Sequence, residues 1–237
     1  MPATANNPRE FGTLLSGEAG ALAGWAGQFH SRRFAFHLAV IVAGAGLYGA
    51  AMGWWRDPLQ ALYVGLKFPL ILLLTTLGNA LLNAMLAPLL GLNLTLRQSL
   101  LAVLMSFAIT AAILGAFAPL LAFVVWNAPP MSPDVKSTLA YALIKLTHVV
   151  VIAFAGIAGN VRLFQLLVQL GGNRRGAKRV LLAWLTVNLF LGSQLTWMAR
   201  PFIGAPQLPV AFLREGVLNG NFYENVFRTV TGLFDLD

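Results

Sequence analysis

The sequence predicts an all-α fold, a polytopic transmembrane helix bundle with five spans, and three observations support this prediction. The 237-residue chain contains successive apolar runs, all eight acidic residues lie outside them, and only 10% of the residues are charged. A helix needs about 20 mostly apolar residues to cross a bilayer, and a soluble domain has about 25% charged residues. Because the backbone must satisfy its own hydrogen bonds in lipid, these runs are predicted to be helices.

The spans follow one another with short connections and leave a tail at each end. They are predicted at residues 34–54, 60–90, 99–126, 136–170 and 179–200, within one membrane domain. Residues 1–33 form a cytoplasmic tail with a weak amphipathic helix. Residues 201–237 form a second tail, in which apolar residues recur at helical spacing over 221–235. We therefore expect interfacial helices at both ends, the second one capped by Asn221 and Glu224.

The distribution of charge predicts the orientation of the chain. The loop over 171–179 carries Arg174, Arg175, Lys178 and Arg179 without an acidic residue, whereas the tail after residue 200 mixes basic and acidic residues. Basic loops remain in the cytoplasm, so the N-terminus is predicted inside and the C-terminus outside. Tryptophans fall at the predicted outer ends of the spans, as in an aromatic belt; they are Trp54, Trp55, Trp126 and Trp197.

Several functional classes are disfavoured by what the sequence lacks. With no cysteine, disulfides, thiolate catalysis and cysteine-ligated metals are excluded. The three histidines have no acidic neighbours, so we expect no metal site and no cofactor. The usual signatures of zinc proteases, serine hydrolases and nucleotide-binding enzymes are missing, so we expect no enzymatic activity. The net charge of +8 is spread over short loops, which predicts membrane orientation and no nucleic-acid binding.

Two lysines fall inside predicted spans, and each follows a tyrosine by four residues. Tyr63 precedes Lys67 in the second span, and Tyr141 precedes Lys145 in the fourth. A charge at membrane depth costs about 2.5–3.5 kcal/mol, which something must offset. Each ammonium either reaches outward to water and phosphate, or forms a site for a lipid headgroup, a substrate carboxylate or a partner's acid. The shared spacing fits a parallel two-helix repeat or a chance similarity between apolar helices.

His148 lies one turn after Lys145 on the same predicted helix face. An intramembrane histidine relays protons, binds haem or forms a hydrogen bond in helix packing. His37 is predicted near the inner face, which argues against a haem shared by the two histidines. Amide and hydroxyl side chains also fall within the spans, where they line a pathway or join helices; they are Asn79, Asn83, Ser106, Thr110, Asn188 and Gln194.

Small residues form ridges that permit close helix contact. Ala45, Gly49 and Gly53 recur every four residues in the first span, as do Ala155 and Gly159 in the fourth. Such ridges pack helices together within a chain or between partner chains.

The end of the fifth span carries a string from Ser193 to Pro206 in which Arg200 precedes Pro201. Tryptophan, arginine and proline stop a helix at the membrane surface. This string, with Lys67 and Pro69 in the second span and Lys145 and His148 in the fourth, resembles a group of uncharacterised bacterial polytopic membrane proteins. The resemblance implies a bacterial inner-membrane location and no catalytic residue. The five-span layout is also similar to the Yip family of membrane-organising proteins.

Three functions remain open at this point. The first is a non-enzymatic scaffold or subunit of a larger membrane assembly, with a protein partner or a second copy of the chain. The second is a small transporter or channel for a lipid or organic anion that uses Lys67 and Lys145. The third is an intramembrane redox or proton-relay subunit that uses His148. The candidate binding residues are Lys67, Lys145, His148, Tyr63, Tyr141 and Arg200.

Overall fold

Six helices make up the described part of the chain, and no strand occurs among those residues. The computed structural model describes residues 30–131, 135–204 and 208–234, together with residues 12, 13, 20 and 24. The helices are α1 Ser31–Trp54, α2 Pro58–Leu89, α3 Leu96–Asn127, α4 Val135–Gly171, α5 Arg174–Met198 and α6 Phe222–Phe234. The predicted weak amphipathic helix within residues 1–33 lies mostly outside the described residues.

The first five helices are long and apolar enough to cross a membrane, which indicates a multi-pass membrane protein. The predicted all-helical class is confirmed. Despite internal prolines, α2 is one helix of 32 residues, and α4 continues without a break for 37. At 1.5 Å per residue these helices are about 48 and 56 Å long, against a hydrocarbon core of about 30 Å. Both must therefore tilt or project beyond the core.

Local signals explain where several helices begin. The Asp57 carboxylate accepts from the backbone N–H of Leu59 at 2.7 Å, with Pro58 in the first turn. Thr95 and Gln98 form a capping box at the start of α3. Asn173 caps α5 by accepting from the backbone N–H of Arg175 at 3.0 Å. Each cap satisfies an N–H group that the helix leaves without a partner.

The bundle is organised around α3, the most buried span, whereas α5 is the most peripheral. Helix α1 packs against α2 and α3, α4 packs against α3 and α5, and α5 also contacts α2. One end of the bundle, here called the tail end, contains the C-terminal ends of α1, α3 and α5 and the N-terminal ends of α2 and α4. The chain after α5 stays at this end, where Arg56 donates to the carbonyl of Leu208 at 2.7 Å.

Glycine gives α1 its close contacts with two neighbours. A Cβ atom at Gly49 would lie 2.6 Å from the carbonyl oxygen of Val64, and one at Gly53 would lie 2.5 Å from that of Gln60. A Cβ at Gly44 would collide with the backbone of Ala111 in α3. The glycines of the predicted ridge on α1 are therefore occupied within the chain.

Candidate functional site

Lys67 is covered by the chain that follows α5. Residues 201–204 and 208–214, here called the C-terminal segment, pack over the tail end of α2. The Lys67 ammonium donates to the carbonyl of Pro201 at 2.5 Å and to that of Phe212 at 2.8 Å. It also lies 5.4 Å from the ring centre of Phe202, and the Lys67 side chain is only 3% exposed. Backbone carbonyls and aromatic faces thus replace the water that burial removes.

Neighbouring side chains hold the C-terminal segment in place. Gln60 donates to the carbonyls of Pro201 and Phe202 at 2.8 and 2.9 Å. Tyr63 packs edge-to-face on Phe212 with ring centres 5.4 Å apart. The backbone N–H of Arg214 donates to the carbonyl of Arg200 at 3.1 Å, which closes the segment on itself. Lys67 therefore belongs to an internal contact, and neither outward snorkelling nor an open anion site describes its position.

Lys145 has a different environment, although its spacing from tyrosine is the same. It is exposed on the outside of α4, and its ammonium lies 5.1 Å from the ring centre of Tyr141. The Tyr141 hydroxyl donates to the carbonyl of Gly204 at 3.3 Å. Both Tyr-x-x-x-Lys pairs touch the C-terminal segment through at least one member. Their lysines differ, because that of α2 is buried and that of α4 faces outward.

His148 joins α4 to α1 through Tyr48. Its Nδ1 and the Tyr48 hydroxyl share a hydrogen bond of 3.0 Å, with ring centres 5.6 Å apart. Both side chains are buried, and no hydrogen-bond partner occurs for His148 Nε2 in the described part of the chain. His37 is elsewhere and donates to the carbonyl of Arg33 at 2.6 Å. No cluster of three possible metal ligands occurs among the described residues.

A small polar cavity of about 70 Å³ lies between α2, α3, α4 and α5. Asn79 donates to the side-chain oxygen of Asn188 at 2.7 Å, and Ser106 donates to the carbonyl of Gly159 at 3.1 Å. Both bonds join different helices, as the sequence allowed. The lining is completed by other polar and apolar side chains, which include Asn83, Thr110, Asn160 and Trp184.

Several buried polar atoms around this cavity have no partner among the described residues. They are Oδ1 of Asn79, both side-chain polar atoms of Asn83 and Nε1 of Trp184. Asn83 is fully buried, and Asn79 and Trp184 are 2% and 3% exposed. An unsatisfied buried polar group costs about 1–3 kcal/mol, so four such atoms around one cavity are a substantial cost. Natural proteins carry few of them, and those that occur call for an explanation.

A larger apolar groove of about 750 Å³ runs between α2, α4 and α5. Its walls include Phe68 and Leu72 of α2, Ile152 of α4, and Leu189 of α5. Towards the tail end its lining becomes polar, with Ser193, Thr196, Trp197 and Arg200, while Phe222 of α6 also lines it. The groove and the polar cavity share Phe107 and Asn188.

Arg200 stands at the tail end of this groove. Its guanidinium lies over the Trp197 ring, and its Nε donates to the carbonyl of Trp197 at 2.7 Å. Burial, and then the charge of Arg214, lower the pKa of Arg200. Neither arginine forms an ion pair with a carboxylate of the described residues. The groove therefore has an apolar wall and a positive end, where Arg200 contacts the Trp197 ring and carbonyl but pairs with no carboxylate of the described residues.

Helix α6 forms within the stretch predicted to be amphipathic, and it packs against α5. Tyr223 stacks on Phe190 with ring centres 5.0 Å apart, and its hydroxyl bonds to Ser193 at 2.7 Å. Asn221 accepts from the backbone N–H of Glu224 at 2.8 Å, which is half of the predicted capping box. Phe227 and Val226 remain 69% and 43% exposed, so α6 has an apolar surface that α5 does not cover.

Three residues of interest were not singled out by the sequence. Asn160 and Trp184 line the polar cavity, and Arg162 in α4 donates to the side chain of Gln165 at 3.1 Å. Asn160 and Arg162 could have been noticed as polar residues within an apolar run. Trp184 gave no signal, because a tryptophan within a span is ordinarily packed against lipid or protein.

Comparison with protein-family models, with curated proteins and with solved structures gives no match for this chain.

Proposed function

We propose that the protein is a non-enzymatic multi-pass membrane protein that binds an anionic lipid in the groove between α2, α4 and α5. The observation that carries this proposal is the combination of an apolar wall with Arg200 at one end, a guanidinium that pairs with no carboxylate of the described residues. A phosphate headgroup would bind the guanidinium, and the acyl chains would cover the wall. The groove volume of about 750 Å³ lies within the usual range of ligand sites.

The position of the groove determines which lipid can enter it. Our proposed orientation has the N-terminus in the cytoplasm and the C-terminus outside, in a bacterial inner membrane. The tail end then faces the outer leaflet, and Arg200 lies near its headgroups. This proposal moves the anion site from Lys67, whose ammonium already donates to two carbonyls, to Arg200.

Native mass spectrometry of the full chain, supplied separately with phosphatidylglycerol and phosphatidylcholine, tests the proposal. We expect the protein to retain phosphatidylglycerol preferentially. Arg200→Gln should weaken the binding of phosphatidylglycerol about tenfold, because it removes a charge-assisted hydrogen bond that contributes about 1.5 kcal/mol. Gly192→Leu should weaken both lipids, because a Cβ at Gly192 meets only the methyl of Thr75, at 4.0 Å, and a larger side chain would extend into the groove that Gly192 lines.

Matched substitutions separate groove binding from general lipid contact. Arg179→Gln removes an exposed arginine of α5 at the opposite end, and Thr186→Leu adds a leucine at an exposed position of the same helix. Both variants should retain lipid as the natural chain does. Equal retention of the two lipids, unchanged by Arg200→Gln and Gly192→Leu, would rule out the groove as an anionic-lipid site.

A second candidate function is that of a subunit in a larger assembly, and exposed Lys145 supports it. This lysine lies within α4 on the outside of the bundle, where an acidic residue of a partner chain would offset its charge. The ridges of α1 and α4 no longer support this function, since Gly49 packs on α2 and Gly159 on α3. Gentle extraction followed by native mass spectrometry should show a stoichiometric partner that Lys145→Ala releases; a chain that is always alone would exclude this function.

A further inference from the structure

We propose that the polar cavity between α2, α3, α4 and α5 is a second binding site, which holds an uncharged hydroxyl group supplied by water or by a small alcohol. The site is built from Asn79 and Asn83 of α2 with Trp184 of α5. It borders the anionic-lipid site, with which it shares Phe107 and Asn188, but its test does not depend on that function.

The buried polar atoms without partners around the cavity include both donors and acceptors, and a hydroxyl group can bind both kinds. Asn83 Nδ2 and Trp184 Nε1 are donors, whereas Asn79 Oδ1 and Asn83 Oδ1 are acceptors, and none has a partner among the described residues. A hydroxyl group donates one hydrogen bond and accepts up to two. A ligand that both donates and accepts can therefore satisfy groups on α2 and α5 together.

The lining favours an uncharged ligand. The side chains around the cavity are amides, hydroxyls, indole and hydrocarbon, with no ionisable group among the described residues that line it. An ion would lose its hydration in the bundle interior without a counter-charge. The cavity volume of about 70 Å³ exceeds the roughly 10–15 Å³ that one water needs, so a few waters or one small alcohol fit.

In this proposal the route of entry is the apolar groove, which borders the cavity. Phe107 and Asn188 line both spaces, and Asn188 already accepts a hydrogen bond from Asn79 inside the cavity. A small alcohol moving along the groove would reach the polar lining at Asn188.

Nuclear magnetic resonance of the full chain in phosphatidylcholine nanodiscs tests the site. With ¹⁵N-labelled tryptophan, the Trp184 indole signal is assigned from its loss in Trp184→Phe. We expect magnetisation transfer from water to this N–H group, or a saturable shift during titration with glycerol. The first result assigns the ligand to water and the second to an alcohol, and either supports the proposal. The Trp55 indole, which donates to the carbonyl of Pro129 at 3.0 Å, is the control that glycerol should leave without a saturable shift.

The absence of both signals at Trp184 would overturn the proposal. Asn83→Leu supplies an independent measurement, because leucine keeps the branched shape of asparagine but neither donates nor accepts. If the cavity is occupied, this variant loses ligand contacts and should lower the thermal midpoint by about 2–4 °C or more. If the cavity is dry, Asn83→Leu removes two unsatisfied atoms and raises the midpoint, which would also overturn the proposal. Asn127→Leu, at an exposed helix end, is the control and should change the midpoint little.

Discussion

The ammonium group of Lys67 donates a 2.8 Å hydrogen bond to the carbonyl oxygen of Phe212, 145 residues later in the chain. The same ammonium donates to Pro201, so one side chain of α2 holds both ends of the C-terminal segment. A buried cation needs compensation, and here backbone dipoles and aromatic faces provide it, since no carboxylate in the described part of the chain pairs with Lys67. The segment and the lysine therefore stabilise one another.

Lys67→Met should release the C-terminal segment while leaving the five spans folded. Methionine retains the length and packing of the side chain but cannot donate to the carbonyls of Pro201 and Phe212. Hydrogen bonds to a charged group each contribute about 1.5–3 kcal/mol, part of which water recovers once the segment opens. Amide hydrogen exchange at Arg214, whose N–H donates to the carbonyl of Arg200, should accelerate at least tenfold, with little change in α3.

Lys145→Met is the matched control for this measurement. Lys145 lies at the same spacing from a tyrosine but is exposed, and among the described residues its ammonium makes a cation–π contact with Tyr141 and no hydrogen bond. Its replacement should leave exchange in the C-terminal segment close to that of the natural chain. If both methionine variants exchange alike, Lys67 does not anchor the segment.

The sequence was sufficient to predict the helical class but not the partners of Lys67. Long apolar runs without acidic residues leave helices as the only spanning structure, and the observed bounds lie within a few residues of the predicted ones. The cost of burying Lys67 was also apparent from the sequence. The groups that compensate this cost could not be predicted, because the acceptors are backbone carbonyls. Every residue has a backbone carbonyl, so the amino-acid type does not indicate which ones accept.

The sequence also predicted only part of the candidate site, namely its polar residues but not their arrangement. Asn79, Asn83, Ser106 and Asn188 stood out as polar residues in apolar runs, and interhelical hydrogen bonds were expected of them. That they surround one cavity depends on how α2, α3 and α5 are rotated about their axes. The groove depends on the space left between α2 and α5, which follows from tertiary packing and has no counterpart in local sequence.

Gly49→Ala should destabilise the contact between α1 and α2. The added methyl group would lie 2.6 Å from the carbonyl oxygen of Val64 and 2.9 Å from the Cβ of Phe68, so the helices must separate. Overpacking of this kind costs about 1–3 kcal/mol. Unfolding in mixed micelles should show this loss for Gly49→Ala, whereas Gly192→Ala, which meets only a methyl group at 4.0 Å, should be neutral or slightly stabilising. Equal stability of the two variants would contradict the packing of α1 on α2.

Tyr48→Phe should destabilise the bundle through His148. The change removes only the hydroxyl that bonds to Nδ1 of His148, and it leaves that nitrogen buried without its partner. We expect a loss of about 1–3 kcal/mol in the free energy of unfolding. In a double-mutant cycle with His148→Leu, the Tyr48→Phe effect should fall once the imidazole is absent. Additive effects would show that the hydroxyl acts independently of His148. Tyr223→Phe is the control and should cost less, because its hydroxyl bonds to the carbonyls of Leu189 and Phe190 at exposed positions of α5.

The proposed orientation can be tested with single cysteines, because the natural chain contains none. Asn93 lies in the exposed connection between α2 and α3, and Leu218, which is 79% exposed, lies between the C-terminal segment and α6. These positions are at opposite ends of the five-helix bundle, so a membrane should separate them.

With the C-terminus outside, a membrane-impermeant maleimide should label Leu218→Cys in intact spheroplasts and Asn93→Cys only after lysis. The reverse pattern would place the basic loop over 171–179 outside and Arg200 at the inner leaflet, contrary to the rule that basic loops remain in the cytoplasm. Labelling of both cysteines in intact spheroplasts would instead show that an even number of spans separates them.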